Sequence, residues 1–173
     1  WCLVRGGRQK LQTSRGGVVR DKVPEAGARR PKVLAFQYAA GGVEDRAAEY
    51  WTRAGRQSME RSEYAEAGSH FANALLVLRK TPESPARQRE EAQLVLDQQI
   101  TLQALKGPGS LEAGGMAKEA VGISAPLGDD PLHFRARWAD WIYNSLSGNL
   151  PVASERADRL VEMAGRLGKS DFK

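Results

Sequence analysis

The sequence is poor in the residues that bind metals or form disulfides. Its 173 residues include one cysteine, Cys2, and two histidines, His70 and His133. A single cysteine excludes an intrachain disulfide and a multi-cysteine zinc site, and two histidines exclude a multi-histidine metal site. No segment has the roughly 18 apolar residues of a membrane span, and the first twenty residues lack the apolar run of a signal peptide. We therefore expect a cytoplasmic protein without a metal or cofactor.

Motifs that carry catalysis are also missing. Gly168, Lys169 and Ser170 match the end of a phosphate-binding loop, but the first glycine of that motif is replaced by a methionine within a predicted helix. Asp129 and Asp130 precede a proline, where the second aspartate is explained as a helix cap. Neither histidine has a recognisable triad partner, so we interpret both as structural. The sequence predicts no enzymatic activity for this chain.

Positive charge is concentrated at the amino-terminal end. Residues 1–32 contain nine basic and two acidic residues, a net charge of +7, whereas residues 33–173 carry a net charge of −2. Because residues 1–31 are also rich in glycine and lack apolar periodicity, we predict a disordered basic arm. The arm is either an electrostatic contact for nucleic acid or anionic lipid, or a solvated or non-native edge. Since the first residue is Trp1, we expect either a trimmed start or a piece of a longer protein.

From residue 31 onward the sequence has the punctuation of a series of helices. Ser84–Pro85 and Asp130–Pro131 combine a capping residue with a proline suited to the first helical turn. Breaks such as Gly41–Gly42 and Gly148–Asn149 separate the segments, and strand-like alternation is almost absent. These signals predict seven helices, at about residues 31–40, 44–61, 64–80, 84–106, 111–126, 130–147 and 150–168.

Apolar residues recur with the helical period in three of these segments. The third helix has Ala67, Phe71, Ala74, Leu75 and Leu78 at offsets of 0, 4, 7, 8 and 11. The fifth helix, from residue 113, and the seventh, from residue 153, repeat the first four offsets, so the template returns after 46 and 40 residues. We predict an all-α fold over residues 32–173, a right-handed superhelical array of antiparallel helix pairs (an α-solenoid). A non-repeating helical bundle is the alternative.

The second and third helices resemble a tetratricopeptide repeat. Trp51 and Gly55 have the spacing of its first helix, and an A-x3-F step follows in the next one, although Ala54 and Ser58 are smaller than the motif prefers. The resemblance implies that large side chains fill the space between helices while small ones allow close approach. A weaker match begins at Gly148–Leu150. The predicted repeat-core residues are Trp51, Gly55, Ala67, Phe71, Ala74, Ala153, Ala157 and Leu160.

A closer resemblance covers residues 33–173. The pair Tyr50–Trp51, the segment Thr81–Pro85 and the late run GNLPVASERADRL occur in the same order in the carboxy-terminal helical region of large bacterial multidomain proteins. Those proteins join a class III adenylate/guanylate cyclase domain to a predicted ATPase domain, followed by tetratricopeptide-like repeats. The resemblance implies that this chain is a non-catalytic regulatory region of such a signalling protein.

A candidate ligand surface lies on the predicted sixth helix. Three aromatic residues and an isoleucine occupy one face of it, at positions 134, 138, 141 and 142. Such a face either belongs to the core or, in a solenoid, lines a concave groove that grips a peptide. Two flanking arginines are candidates for binding a carboxylate. The candidate groove residues are Arg135, Arg137, Trp138 and Trp141.

Two functions follow from these observations. The first is a protein–protein interaction region whose partner is a protein, a peptide or another domain of the parent chain. The alternative is a free-standing helical-repeat or transcription-regulator-type protein that binds nucleic acid through its basic arm. We expect no membrane partner and no small-molecule substrate.

Overall fold

The computed structural model describes residues 30–128 and 130–168. The predicted basic arm lies outside these residues except for its last two positions. Cys2, Asp129 and the Lys169–Ser170 part of the loop-like motif lie outside them as well, and so does the side chain of Asp130, on which the predicted cap depends. The described residues contain no β-strand, so the predicted all-α class is confirmed for this part of the chain.

Seven α-helices make up the described chain, each within two residues of its predicted bounds. A single 3₁₀ turn, Ala125–Leu127, separates the fifth helix from the sixth. The helices are α1 (Pro31–Ala40), α2 (Glu44–Glu60), α3 (Tyr64–Leu78), α4 (Pro85–Lys106), α5 (Leu111–Ser124), α6 (Asp130–Leu146) and α7 (Leu150–Leu167).

Local side-chain chemistry sets several helix ends. The backbone N–H of Arg87 donates to Oγ of Ser84 at 3.2 Å, and that of Ala113 donates to Oγ of Ser110 at 3.4 Å. These bonds satisfy N–H groups that have no partner within the first turn of a helix. Gly107 follows α4 with φ of +91°, a conformation that a residue with a Cβ rarely adopts. The predicted caps at Ser84 and Ser110 are therefore confirmed.

Each helix packs mainly against the helix before it and the helix after it, and α4 also contacts α6. Small side chains dominate the interfaces between consecutive helices, which are called seams below, because alanine lets two backbones approach closely. Trp51 and Phe71 are the large residues of the core, 3% and 0% exposed. Other core residues are Ala47, Ala48, Ala74, Ala92, Val95, Ala117, Ala120, Leu132 and Ala136.

The predicted repeat-core residues are all buried except Ala157, which is half-buried. The predicted apolar face of α7 is wrong at one position, because Val161 is 72% exposed and Met163 is buried instead. Since α7 is the last described helix, only one of its sides meets a described neighbour, α6. The helical period identifies an apolar stripe, but it does not say how much of that stripe a neighbouring helix covers.

Two glycines lie directly beneath aromatic rings at the helix seams. A Cβ at Gly55 on α2 would lie 2.5 Å from Cε1 of Phe71 on α3. A Cβ at Gly114 on α5 would likewise overlap the ring of Tyr143 on α6. Atoms at these distances repel strongly, so glycine is required by the close approach of the helices rather than by backbone conformation.

We predict that Gly55→Ala destabilises the protein by about 1–3 kcal/mol, because the added methyl group overpacks a site where it would overlap the fully buried Phe71 ring. Urea unfolding followed by circular dichroism measures the change in the free energy of unfolding. The matched control is Gly115→Ala on α5, where a Cβ meets nothing within 4 Å. That change should be neutral or stabilising by up to about 1 kcal/mol through helix propensity. Equal effects of the two substitutions would contradict the prediction.

Candidate functional site

Helices α2, α4 and α6 border two depressions. A groove of about 870 Å³ lies between α2 and α4, with the first residue of α1 at its edge. A cavity of about 360 Å³ lies between α4 and α6. Helix α4 therefore forms one wall of each depression. Below, the first is called the polar groove and the second the apolar cavity.

Charged side chains of both signs line the polar groove. Arg53 and Arg56 from α2 face Arg89 from α4, and the acids Glu49, Glu60 and Glu90 lie among them. Most of these groups are exposed, and Gln57, Gln93 and Thr52 add uncharged polar atoms to the wall. Arg53 forms no ion pair with a described residue, whereas Arg56 pairs with Asp97 at 3.2 Å. The groove thus offers many hydrogen-bonding groups, interspersed with apolar surface from Pro31, Ala86 and Leu94.

Two carboxylates on α4 are made less acidic by their surroundings. Burial raises the pKa of Glu90, and the nearby charges of Asp45 and Glu49 on α2 raise it further. Burial also raises the pKa of Asp97, against the opposing attraction of Arg56 and Arg135. Asp45, Glu49 and Glu90 repel one another near the start of α2, so a bound cation is favourable at that end of the groove.

The same groups indicate the relative direction of helices α2 and α4. Near the start of α2, Asp45 and Glu49 act on Glu90, and towards its end Arg56 meets Asp97. Residue numbers therefore increase in the same direction along both helices. Because consecutive helices α2, α3 and α4 are joined by short turns, α3 must run in the opposite direction between them.

The apolar cavity is lined mainly by aliphatic and aromatic side chains. Leu96 and Ile100 come from α4, and Phe134, Ala139 and Ile142 from α6. The polar side chains of its wall are Gln99, Gln103 and Arg135. Trp138 completes the lining. Its ring centroid lies 4.9 Å from that of Trp141 and 6.3 Å from that of Phe134.

The structure brings together only part of the predicted groove set. Arg135 and Trp138 line the apolar cavity, and Trp141 contacts the Trp138 ring without lining the cavity. Trp138 is 46% exposed, so the alternative placement of this residue in the core is wrong. Arg137 lies apart, in a depression shared with α7, where burial and then the charges of Arg159 and Arg156 lower its pKa.

Ser124 and His133 form a partly buried contact that sequence spacing did not reveal. Oγ of Ser124 donates to the carbonyl of Ala120 at 2.7 Å and lies 2.9 Å from Nδ1 of His133. Nε of Arg137 donates to Nε2 of the same ring at 2.8 Å. A nitrogen that accepts from arginine carries no proton, so the neutral ring carries its proton on Nδ1 and donates it to Ser124. This arrangement joins α5 to α6, and Nδ1 of His133 is not free to accept the serine proton.

A charged network fixes α4 between its neighbours. Oε1 of Glu91 accepts from Nε of Arg79 at 2.7 Å, and Oε2 lies 3.1 Å from Nη2 of Arg87. Arg79, just after α3, also pairs with Glu119 on α5. The carboxylate of Glu91 is nearly buried, so both arginines contribute to its stability there. Three consecutive helices are thereby held at one end of α4.

His70 is buried against the core rather than placed in either depression. Its ring centroid lies 5.3 Å from that of Trp51, and Nε2 lies 3.4 Å from Oε1 of Glu66. Burial lowers the pKa of His70, and the charge of Lys32 lowers it further, against the opposing effect of Glu66. The prediction that His70 is structural agrees with this position in the core.

Comparisons with known proteins add no relative. No protein-family model, curated protein or solved structure matches the chain. None of the described helices is both long and apolar enough to cross a bilayer. Over residues 30–128 and 130–168, no group of three or more histidine, cysteine, aspartate or glutamate side chains is arranged to hold a metal ion.

We predict that the lowered pKa of His70 makes folding stability fall on acidification. The unfolded chain takes up this proton near pH 6.5, whereas the folded chain takes it up only at lower pH. The stabilisation is therefore complete above about pH 6.5 and is lost as the pH falls below that value. Urea unfolding between pH 7.5 and 5.0 should show a steeper loss for the wild type than for His70→Gln.

The pH range of this measurement separates the titration of His70 from that of the neighbouring acid Glu66. Glu66 has a lowered pKa and titrates below this range, and His133 is present in both proteins. The difference between the two curves therefore reports His70. Parallel curves for the wild type and His70→Gln would contradict the prediction.

Proposed function

We propose that this chain is a non-catalytic, tetratricopeptide-like helical-repeat region that binds a protein or peptide partner. The polar groove between α2 and α4 is the observation that carries the proposal. Its volume of about 870 Å³ and its mixture of charged and amide groups suit a peptide segment, whose backbone must find hydrogen-bond partners wherever it is covered.

The helix packing supports a repeat architecture. Consecutive helices contact each other, α2 and α4 run in the same direction, and α4 also contacts α6. An array of antiparallel helix pairs gives this pattern, because the first helices of successive pairs are parallel and share one face. Peptides bound by such arrays lie along that face, where the polar groove is found.

The groove charges define the partner in general terms. Arg53 lacks an ion pair among the described residues, so an acidic side chain of the partner would bind near the middle of α2. The repelling acids Asp45, Glu49 and Glu90 favour a basic side chain near the start of that helix. A segment with an acidic and a basic residue in fixed order is therefore the best complement.

The resemblance to cyclase/ATPase proteins supplies a context for this binding. In that context the region is one part of a larger signalling protein, and its partner is a regulator or another domain of the same chain. A partner regulates catalysis only if it binds two arrangements of the repeats with different affinity. Sequencing the source DNA on both sides of the coding segment tests the context. A continuous frame into cyclase and ATPase domains supports it, and a frame without any catalytic domain overturns it.

We predict that Arg53→Glu weakens peptide binding about tenfold or more, because it removes the unpaired cation and adds repulsion for an acidic partner residue. Peptides selected from a displayed random library on the wild-type chain would be measured by fluorescence polarisation at fixed ionic strength. Arg61→Glu is the matched control, because Arg61 is an exposed arginine in the α2–α3 turn outside the groove. Its affinity should stay within about twofold of the wild type. If no peptides are enriched, or if Arg53→Glu binds them unchanged, the groove is not the binding site.

The charge of the arm favours nucleic-acid binding as a second candidate function. Residues 1–32 carry a net charge of +7, and neutralising phosphates with such charges makes binding strongly dependent on salt. We predict that the logarithm of Kd for duplex DNA rises with the logarithm of the salt concentration, with a slope of about 0.9 for each phosphate contacted. Replacing Arg5, Arg8, Arg15 and Arg20 by glutamine should flatten that slope. Absence of binding at low salt, or an unchanged slope, would exclude the arm as the binding element.

A further inference from the structure

The apolar cavity differs from the polar groove in size and chemistry. At about 360 Å³ it is near the lower end of the range for small-molecule sites, and five of its nine lining residues are Leu96, Ile100, Phe134, Ala139 and Ile142. Trp138 and Ile100 are 46% and 39% exposed, although both are large and apolar. A small apolar body in this space would cover surface that is now in contact with water.

Gln99 gives the cavity a specific polar feature. The residue is 2% exposed and lines the cavity, and its Nε2 is buried without a hydrogen-bond partner. A buried amide donor without an acceptor carries a desolvation cost that no described group offsets. Rotation of the Gln99 side chain toward the cavity that it lines would bring this amide to an acceptor atom placed there, and the bond would remove that cost.

Arg135 adds a positive charge to the same cavity wall. It forms no contact ion pair with a described residue, and the acid that attracts it, Asp97, is already paired with Arg56 at 3.2 Å. Amide nitrogen and guanidinium are both donors, so the group that satisfies Gln99 and Arg135 together is an acceptor with negative charge. A carboxylate has both properties.

A peptide segment is a poorer occupant of this cavity. Each peptide unit brings an N–H donor as well as a carbonyl, and each donor needs an acceptor when it is covered. Gln99 and Gln103 have the only side-chain amide oxygens among the lining residues, and the other polar side chain, Arg135, is donor-only. A molecule with one acidic end and an otherwise apolar body leaves no such donor unpaired.

We propose that the cavity between α4 and α6 binds a small amphiphilic monocarboxylate, with a medium-length alkyl chain or a single aromatic group as its body. The apolar body lies among Leu96, Ile100, Phe134 and Trp138, and the carboxylate accepts from Gln99 and pairs with Arg135. This site is separate from the polar groove, so it does not depend on the proposed peptide partner. It would give the region a sensor for a small acid.

Calorimetric titration of the full chain with decanoate, below its micelle concentration, tests the proposal. We expect saturable binding of one decanoate per chain, and at least tenfold weaker binding of decanol, which has the same alkyl length without the charge. Arg135→Gln should weaken decanoate binding at least fivefold and leave decanol unchanged. Equal affinities for the acid and the alcohol, or no saturable binding, would overturn the proposal.

Variants at the cavity separate specific binding from surface adsorption. Ile100→Trp fills the cavity from a partly exposed position on α4 and should abolish binding. Leu105→Trp is its matched control, because Leu105 is an exposed residue of the same helix that does not line the cavity. It should bind decanoate like the wild type. Retained binding in Ile100→Trp, with circular dichroism showing both variants folded, would place decanoate elsewhere and overturn the proposal.

Gln99→Leu provides a readout that ligand binding alone does not give. It should weaken decanoate binding at least fivefold, yet raise the melting temperature of the ligand-free protein, because it removes a buried donor without a partner. Unchanged decanoate affinity in this variant would overturn the role of Gln99. Competition of decanoate with peptides selected on the chain would assign the cavity to the protein interface instead, and would also overturn the proposal.

Discussion

The close approach of consecutive helices is the constraint on which the rest of this structure depends. Gly55 beneath Phe71 and Gly114 beneath Tyr143 allow two helix pairs to come closer than any side chain at those glycines would permit. Alanines such as Ala67, Ala92 and Ala117 have the same effect along the other seams, where they are fully buried. Because each helix packs chiefly on its neighbours in the chain, these seams contain most of the contacts between helices.

The two depressions are a consequence of that packing. Tight seams join α2 to α3, α3 to α4, α4 to α5 and α5 to α6, so α2 and α4, like α4 and α6, are held at a fixed spacing by the helix between them. Gaps remain between these alternate helices, and they are lined partly by core residues such as Leu94 and Leu96 and partly by exposed side chains. The first gap is lined by charged and amide groups and the second by apolar ones, so one scaffold presents two different surfaces.

The helices and much of the core could be predicted from the sequence because their signals are local. Proline, glycine and serine at the helix ends act within a turn, as Ser84 and Ser110 show, and the helical period correctly identified the buried face of α3. The site residues depend on tertiary contacts between helices. Nothing near Gln99 in the sequence indicates that its amide lacks a partner, and Ser124 meets His133 only because the chain turns between α5 and α6. The exposure of Trp138 likewise depends on how far α4 covers α6.

Helix α4 connects these features through two carboxylates. Glu91 pairs with Arg79, which also pairs with Glu119, and these contacts hold the position of α4 relative to α3 and α5. On its open face, Asp97 is paired with Arg56 of the polar groove and attracted by Arg135 of the apolar cavity. Since like charges repel, a negative charge bound at Arg135 would also repel the Asp97 carboxylate and so act on the Arg56–Asp97 pair. Asp97 therefore interacts with one arginine from each depression, so a charge bound in one depression would alter the electrostatics of the other.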